Sequence, residues 1–183
     1  MNRSHRFLLC LALLGCGTAW AQNATSGKPH ADEHFAREVS NANNTEIMAS
    51  QIALQNSQAD DVKQFARRMI DDHGMAETQL KSIASSENLQ LPTKLPSHTQ
   101  SELDRLMTEH GAQFDHAFAH MMLMDHRQAV AMFKQSANNQ ALGQSLRDFA
   151  TMTLPTLQTH LRLARQLAAA HGGANKEPAS SSG

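Results

Sequence analysis

The sequence predicts an all-α protein built as an antiparallel four-helix bundle, and three observations carry that prediction. Strand formers are scarce: aromatic residues are 4% of the 183 and tyrosine is absent, whereas sheets draw on β-branched and aromatic side chains. Four segments repeat apolar residues at the spacing of one helix face. Their connections run tight, long, tight, the order that joins two helical hairpins.

The chain begins with the features of an export signal over residues 1–21. Arg3, His5 and Arg6 form a basic start, Phe7 to Leu14 is almost wholly apolar, and Thr18-Ala19-Trp20-Ala21 supplies a small-x-small cleavage pattern. Gln22 is then the expected first mature residue, and the export machinery and signal peptidase are the implied partners. The apolar run is too short for a helix to cross a bilayer, which takes roughly 20 residues, and no transmembrane segment is expected elsewhere. A rival reading takes Leu13-Leu14-Gly15-Cys16 as a lipobox, with the protein lipid-anchored through Cys16. Cys10 and Cys16 are the only cysteines, so cleavage after Ala21 excludes disulfides, thiol catalysis and thiolate metal sites. Loss of Arg3 and Arg6 leaves 14 basic against 17 acidic residues, about −3. That balance gives no reason to expect a nucleic-acid partner.

Residues 22–30 read as a disordered polar leader and 31–170 as the bundle domain. The first helix is expected over 31–56, with Phe35, Val39, Ala42, Glu46, Ala49 and Ala53 on one face. The second, over 59–85, carries Val62, Phe65, Met69, Ala76, Leu80 and Ile83. Pro92 and Pro96 interrupt helix in the long connection that follows. The third helix is expected to run unbroken over 101–137, and Asn138-Asn139 ends it. The fourth, over 140–170, carries Leu142, Leu146, Phe149, Leu157, Leu161 and Leu167, with Pro155 inside it as an expected kink. Gly172-Gly173 stops it, and 171–183 reads as a disordered tail.

An internal echo runs through these segments. Phe65-Ala66-x-x-Met69-x-x-Asp72-His73 matches Phe118-Ala119-x-x-Met122-x-x-Asp125-His126, and Glu46 in the first segment matches Asp125 in the third. At about 100° per residue, Asp72 and His73 flank the seam through Met69, and Asp125 and His126 flank the seam through Met122. Glu46 lies near Phe35 and Ala53, and His160 near Phe149 and Leu167. Each helix therefore directs acid or imidazole at the centre. Isolated buried charges are costly, whereas carboxylates and imidazoles around a cation satisfy one another. Glu46, Asp72, His73, Asp125, His126 and His160 are the candidate metal ligands. Their oxygen and nitrogen donors suit iron, manganese or zinc. The competing interpretation is a metal-free network of buried hydrogen bonds. Either way, the nearby carboxylates are expected to hold the histidines partly protonated. A copper reading, ranked behind these, uses His116, His120 and Met124 at spacings of four, with Met122 and His126 as a second pair.

FARRMIDDH at 65–73, QFDHAFAHMMLMDHRQAVAMF at 113–133 and DFATMTLPTLQTHLRLA at 148–164 together resemble the bacterial exported family of domain of unknown function 4142. The resemblance covers about residues 31–170 and implies a ferritin-like four-helix protein, periplasmic or secreted, without a settled activity. The family pattern falls on Met69, Asp72 and His73, on Met122, Asp125 and His126, and on Thr153, Leu154, Pro155, Leu157 and His160, with Glu46 in the first helix. Di-iron ferritin-like proteins place Glu-x-x-His on two helices. Here Ile70 precedes His73 by three and Leu157 precedes His160 by three, so that ligand set is incomplete.

The expectation is therefore an exported helical protein of unknown activity, an envelope- or stress-associated accessory rather than an enzyme. One alternative is a metal-binding or oxidase-like protein with a carboxylate/histidine site inside the bundle. Another is a binding module for an envelope protein.

Overall fold

The computed structural model describes residues 28–172. The export signal, Cys16, most of the expected leader and nearly all of the expected tail lie outside the described residues. Among the described residues five α-helices follow in order: α1 (Lys28–Asn56), α2 (Asp60–Glu87), α3 (Ser97–Thr108), α4 (Gly111–Ser136) and α5 (Gln144–His171). Among the described residues there is no strand.

The all-α expectation holds, but four helices become five. The segment expected to run unbroken over 101–137 divides at Glu109 and His110, whose backbones are extended, and at Gly111, whose φ is +56°. A left-handed residue cannot continue a right-handed helix, and glycine occupies that region without steric penalty. The apolar phase passes unchanged across the break, from Leu103 and Leu106 to Phe114 and Phe118, which is why periodicity did not reveal it. Residues 28–30, expected as leader, form the first turn of α1. The last helix begins at Gln144 rather than near 140. Its start is held from outside, because the Gly143 N–H donates to Asp32 Oδ1 at 2.7 Å. Pro155 is accommodated within α5 without ending it.

Two helical hairpins, α1 with α2 and α4 with α5, provide most of the helix packing, and they meet through α1 against α4 and α2 against α5. The short α3 lies over α1 and α4. Amphipathic helices this long gain their stability by burying the apolar stripe. Two apolar clusters result. One contains Phe65, Met69, Leu103, Phe114, Phe118, Met122 and Leu167. The other contains Phe35, Val39, Leu80, Phe133, Leu146, Phe149 and Leu157.

Between these clusters each long helix contributes polar side chains to one layer. On α1, Asn43 and Glu46 fall between Val39 and Ala49; on α2, His73 and Glu77 fall between Met69 and Leu80. On α4, His126 falls between Met122 and Ala129, and on α5, His160 falls between Leu157 and Ala164. All six polar residues are buried. The molecule therefore has an apolar core interrupted at mid-height by a polar layer. No helix among the described residues is long and apolar enough to cross a membrane.

Candidate metal centre

Three imidazoles define the polar layer. The ring centroids of His73 and His160 are 5.4 Å apart, those of His126 and His160 5.2 Å, and those of His73 and His126 5.7 Å. Each ring offers a nitrogen, and the three nitrogens lie within 4.8 Å of one another. Glu46 reaches the same place from α1: its Oε2 is 3.3 Å from His73 Nε2 and 3.4 Å from His126 Nε2.

The outward-facing nitrogen of each ring is already occupied by an acceptor. His73 Nδ1 lies 3.0 Å from Asn43 Oδ1, His126 Nδ1 lies 2.8 Å from the Met122 carbonyl oxygen one turn back, and His160 Nε2 lies 2.8 Å from Asp72 Oδ2. Each acceptor takes an N–H, so the hydrogen-bond network assigns the tautomers. His73 and His126 are protonated on Nδ1 and His160 on Nε2. The opposite nitrogens, His73 Nε2, His126 Nε2 and His160 Nδ1, then present lone pairs, and these atoms are buried without a hydrogen-bond partner. Glu46 Oε2 is the fourth such atom. Buried polar atoms almost always find partners, so four such atoms in one layer mark a place where the three imidazoles could hold a metal ion.

Asn43 is itself oriented. Its Nδ2 donates to Glu77 Oε2 at 3.2 Å, Ser40 Oγ donates to Glu77 Oε1 at 2.9 Å, and the Lys81 ammonium stands 3.5 Å from the same carboxylate. The amide oxygen of Asn43 is thereby turned toward His73. Anchoring acceptors behind imidazoles are the usual support of metal-ligating histidines.

The electrostatics differ from the expectation of partly protonated histidines. Burial dominates: it lowers the His73 pKa to about 3, with His126 and His160 adding repulsion, and it lowers that of His126 to about 4. His160 is lowered as well, again by burial, against the opposing pull of Asp72. Glu46 moves the other way, well above the usual carboxylate range, because of burial and the neighbouring charge of Asp125. At neutral pH the imidazoles are therefore neutral. A low-dielectric site disfavours charge on either kind of group unless a counter-charge arrives.

Of the six candidate ligands, the structure brings together Glu46, His73, His126 and His160. Asp72 touches the cluster only through His160. Asp125 is half-buried and turned toward a cleft it shares with Glu102, whose charge, after burial, raises its pKa to about 6. The repeated Met-x-x-Asp-His pattern thus gives equivalent histidines and non-equivalent aspartates. Asn43 and Glu77 are not among the residues that the apolar stripes single out. Glu77 stands four residues after His73 on the same helix face, which was a usable signal; Asn43 stands three before Glu46. His116 and His120 are exposed on α4, and Met124 is partly exposed. His116 Nδ1 bonds the His171 carbonyl, so this stretch stands apart from the buried layer.

The fold and the site define a class: an all-helical domain with three buried imidazoles that could chelate a metal ion. The chain belongs to the DUF4142 family, described as a domain of unknown function, whose model matches residues 17–167. Two solved structures are similar in fold. A DUF305 protein of Streptomyces coelicolor, named as a candidate secreted protein, is 19% identical over 78% of this chain and 92% of its own, with a TM-score of 0.66. A DUF305 fragment from Deinococcus radiodurans is 16% identical over 76% of this chain and 95% of its own, with a TM-score of 0.67. No curated protein matches the chain.

Proposed function

We propose that this protein is an exported metal-binding protein that holds one divalent first-row ion on His73 Nε2, His126 Nε2, His160 Nδ1 and Glu46 Oε2. The observation that carries the reading is the coincidence of four orphaned donor atoms with three anchored imidazoles. Three electron-rich atoms at 3.3 and 3.4 Å, Glu46 Oε2 and the two Nε2 atoms, repel unless a proton or a cation lies among them. Donors about 2.1 Å from a tetrahedral ion stand roughly 3.4 Å from one another, so the spacing of Glu46 Oε2 from the two Nε2 atoms suits a cation, and the three imidazole nitrogens lie within 4.8 Å of one another.

The donor set supports an ion of borderline softness, zinc or ferrous iron, with manganese behind them. A single carboxylate and the missing Glu-x-x-His motifs argue against a di-iron oxidase. The void beside Glu46, His73 and His160 is about 20 Å³, room for one water or one ion. An organic substrate does not fit there, which favours binding over catalysis. The arrangement of α1, α2, α4 and α5 supports a ferritin-like bundle to which α3 is added. Export follows from the basic-apolar-cleavable start of the sequence, and the name of the Streptomyces relative is in keeping with it.

The test is a metal titration of untagged, chelated protein. One zinc or cobalt ion per chain is expected, with a melting temperature that rises by mass action. His126→Ala and His160→Ala should each abolish both effects. No binding by the unmodified chain would leave the layer as structural polarity. Binding retained in both variants would move the site to His116 and His120.

A further inference from the structure

The three histidines are buried, so an ion needs a way in. Between α1, α3 and α4 runs a cleft of about 500 Å³, and its inner wall is Glu46. Glu46, Ala42 and Ala129 line both this cleft and the small void beside His73 and His160. Four carboxylates, those of Glu38, Glu46, Glu102 and Asp125, stand among the residues lining the cleft, with no lysine or arginine. Glu46 Oε2 is fully buried and unpartnered at its inner end.

We infer that this cleft is the entry path of the divalent cation, which passes from Glu102 on α3 to Asp125 on α4 and from Asp125 to Glu46 on α1. The inference rests on the metal-binding reading above. The two volumes carry it. A cleft of about 500 Å³ accommodates an ion with its water shell, whereas a void of about 20 Å³ accommodates the ion alone. Water must therefore be shed between them. Stripping a divalent ion is costly unless other oxygens replace the lost waters, and carboxylates in series supply them. A single-sign cleft with low-dielectric walls also raises the local concentration of the counter-ion and its rate of arrival. Asp125 follows the same Met-x-x-Asp-His pattern as Asp72. Its place on the cleft side of Glu46 gives it a transit role, while Asp72 anchors His160.

The experiment is stopped-flow loading of the chelated full chain with Co²⁺, followed by the visible absorption of the bound ion, beside an equilibrium titration. Glu102→Gln and Asp125→Asn should slow loading and release together, each by about fivefold or more, with the dissociation constant held within about twofold. Loading of the unmodified chain should slow with added salt more steeply than loading of the variants. Asp148→Asn, on the exposed face of α5, should leave the rates unchanged. Unaltered loading in both cleft variants overturns the path. Loss of affinity with an unchanged loading rate in Asp125→Asn also overturns it, by making Asp125 a ligand. Failure of the unmodified chain to bind Co²⁺ at equilibrium overturns the metal reading itself and is seen before any rate is measured.

Discussion

His160 Nε2 donates to Asp72 Oδ2 at 2.8 Å, joining α5 to α2 across the seam between the two hairpins. The bond turns His160 Nδ1 inward, toward His73 and His126, and makes this histidine the one that offers Nδ1 rather than Nε2. Asp72 is partly exposed and carries no apolar contact surface of the core. Asp72→Asn should keep the fold and lower metal affinity by about 10- to 100-fold, the range seen when an anchoring acceptor is altered. A competition titration against a chelator of known affinity checks it; an unchanged affinity would remove Asp72 from the site.

Glu46 separates metal binding from stability. Its carboxyl is held above the usual range, so above its unfolded pKa of about 4.5 the unfolded chain releases a proton that the folded chain keeps. Stability is lost as pH rises through that window. Glu46→Gln removes this cost. The metal-free variant should melt above the metal-free parent at pH 7 and should lose the melting shift that zinc gives the parent. A variant that still binds zinc tightly would exclude Glu46 as a ligand.

The histidines act with the opposite sign. With folded pKa values of about 3 for His73 and about 4 for His126, both rings stay neutral where the unfolded chain takes up protons, below about 6.5. Their contribution is complete above that pH and falls as pH drops toward 4, each by up to about 1.4 kcal/mol per pH unit. Glu46 opposes part of this slope above about pH 4.5. Denaturant melts of chelated protein at pH 7, 6 and 5 should therefore show falling stability, more steeply in Glu46→Gln. Stability that rises on acidification would contradict neutral buried imidazoles.

The two exposed-side glycines predict opposite responses to one substitution. Nothing lies within 4 Å of a Cβ added at Gly74 or at Gly111, so packing does not decide either case. Gly74 is interior to α2, and Gly74→Ala should stabilise by about 0.5–1 kcal/mol through the backbone entropy of the unfolded chain. Gly111 has φ +56°, and Gly111→Ala should destabilise by about 1–2 kcal/mol. Equilibrium unfolding of the pair measures both; equal effects would remove the left-handed residue as the cause of the break before α4.

Phe118 is fully buried in the cluster on one side of the polar layer and stands edge-on to Phe65 at 6.2 Å. Phe118→Ala should cost about 3–5 kcal/mol and should leave the donors in place in whatever fraction stays folded. Calorimetry with and without zinc reads this as a lower melting temperature with a zinc-induced rise still present.

Periodicity alone determined that this chain is helical, which face of each helix turns inward, and that Glu46, His73, His126 and His160 are polar residues on apolar stripes. Those properties depend on spacing within a single helix, and a linear sequence records such spacing fully. Tertiary structure decided the rest. Asp72 and Asp125 occupy matching positions in matching motifs, yet one meets His160 and the other meets a cleft, because the outcome depends on which helix lies alongside. Asn43 and Glu77 owe their place to the α1–α2 contact, which buries both, brings Asn43 to His73 and sets Glu77 behind Asn43. The imidazoles are also neutral rather than partly protonated: the nearby acids are legible in the sequence, but the removal of water that outweighs them belongs only to the packed layer.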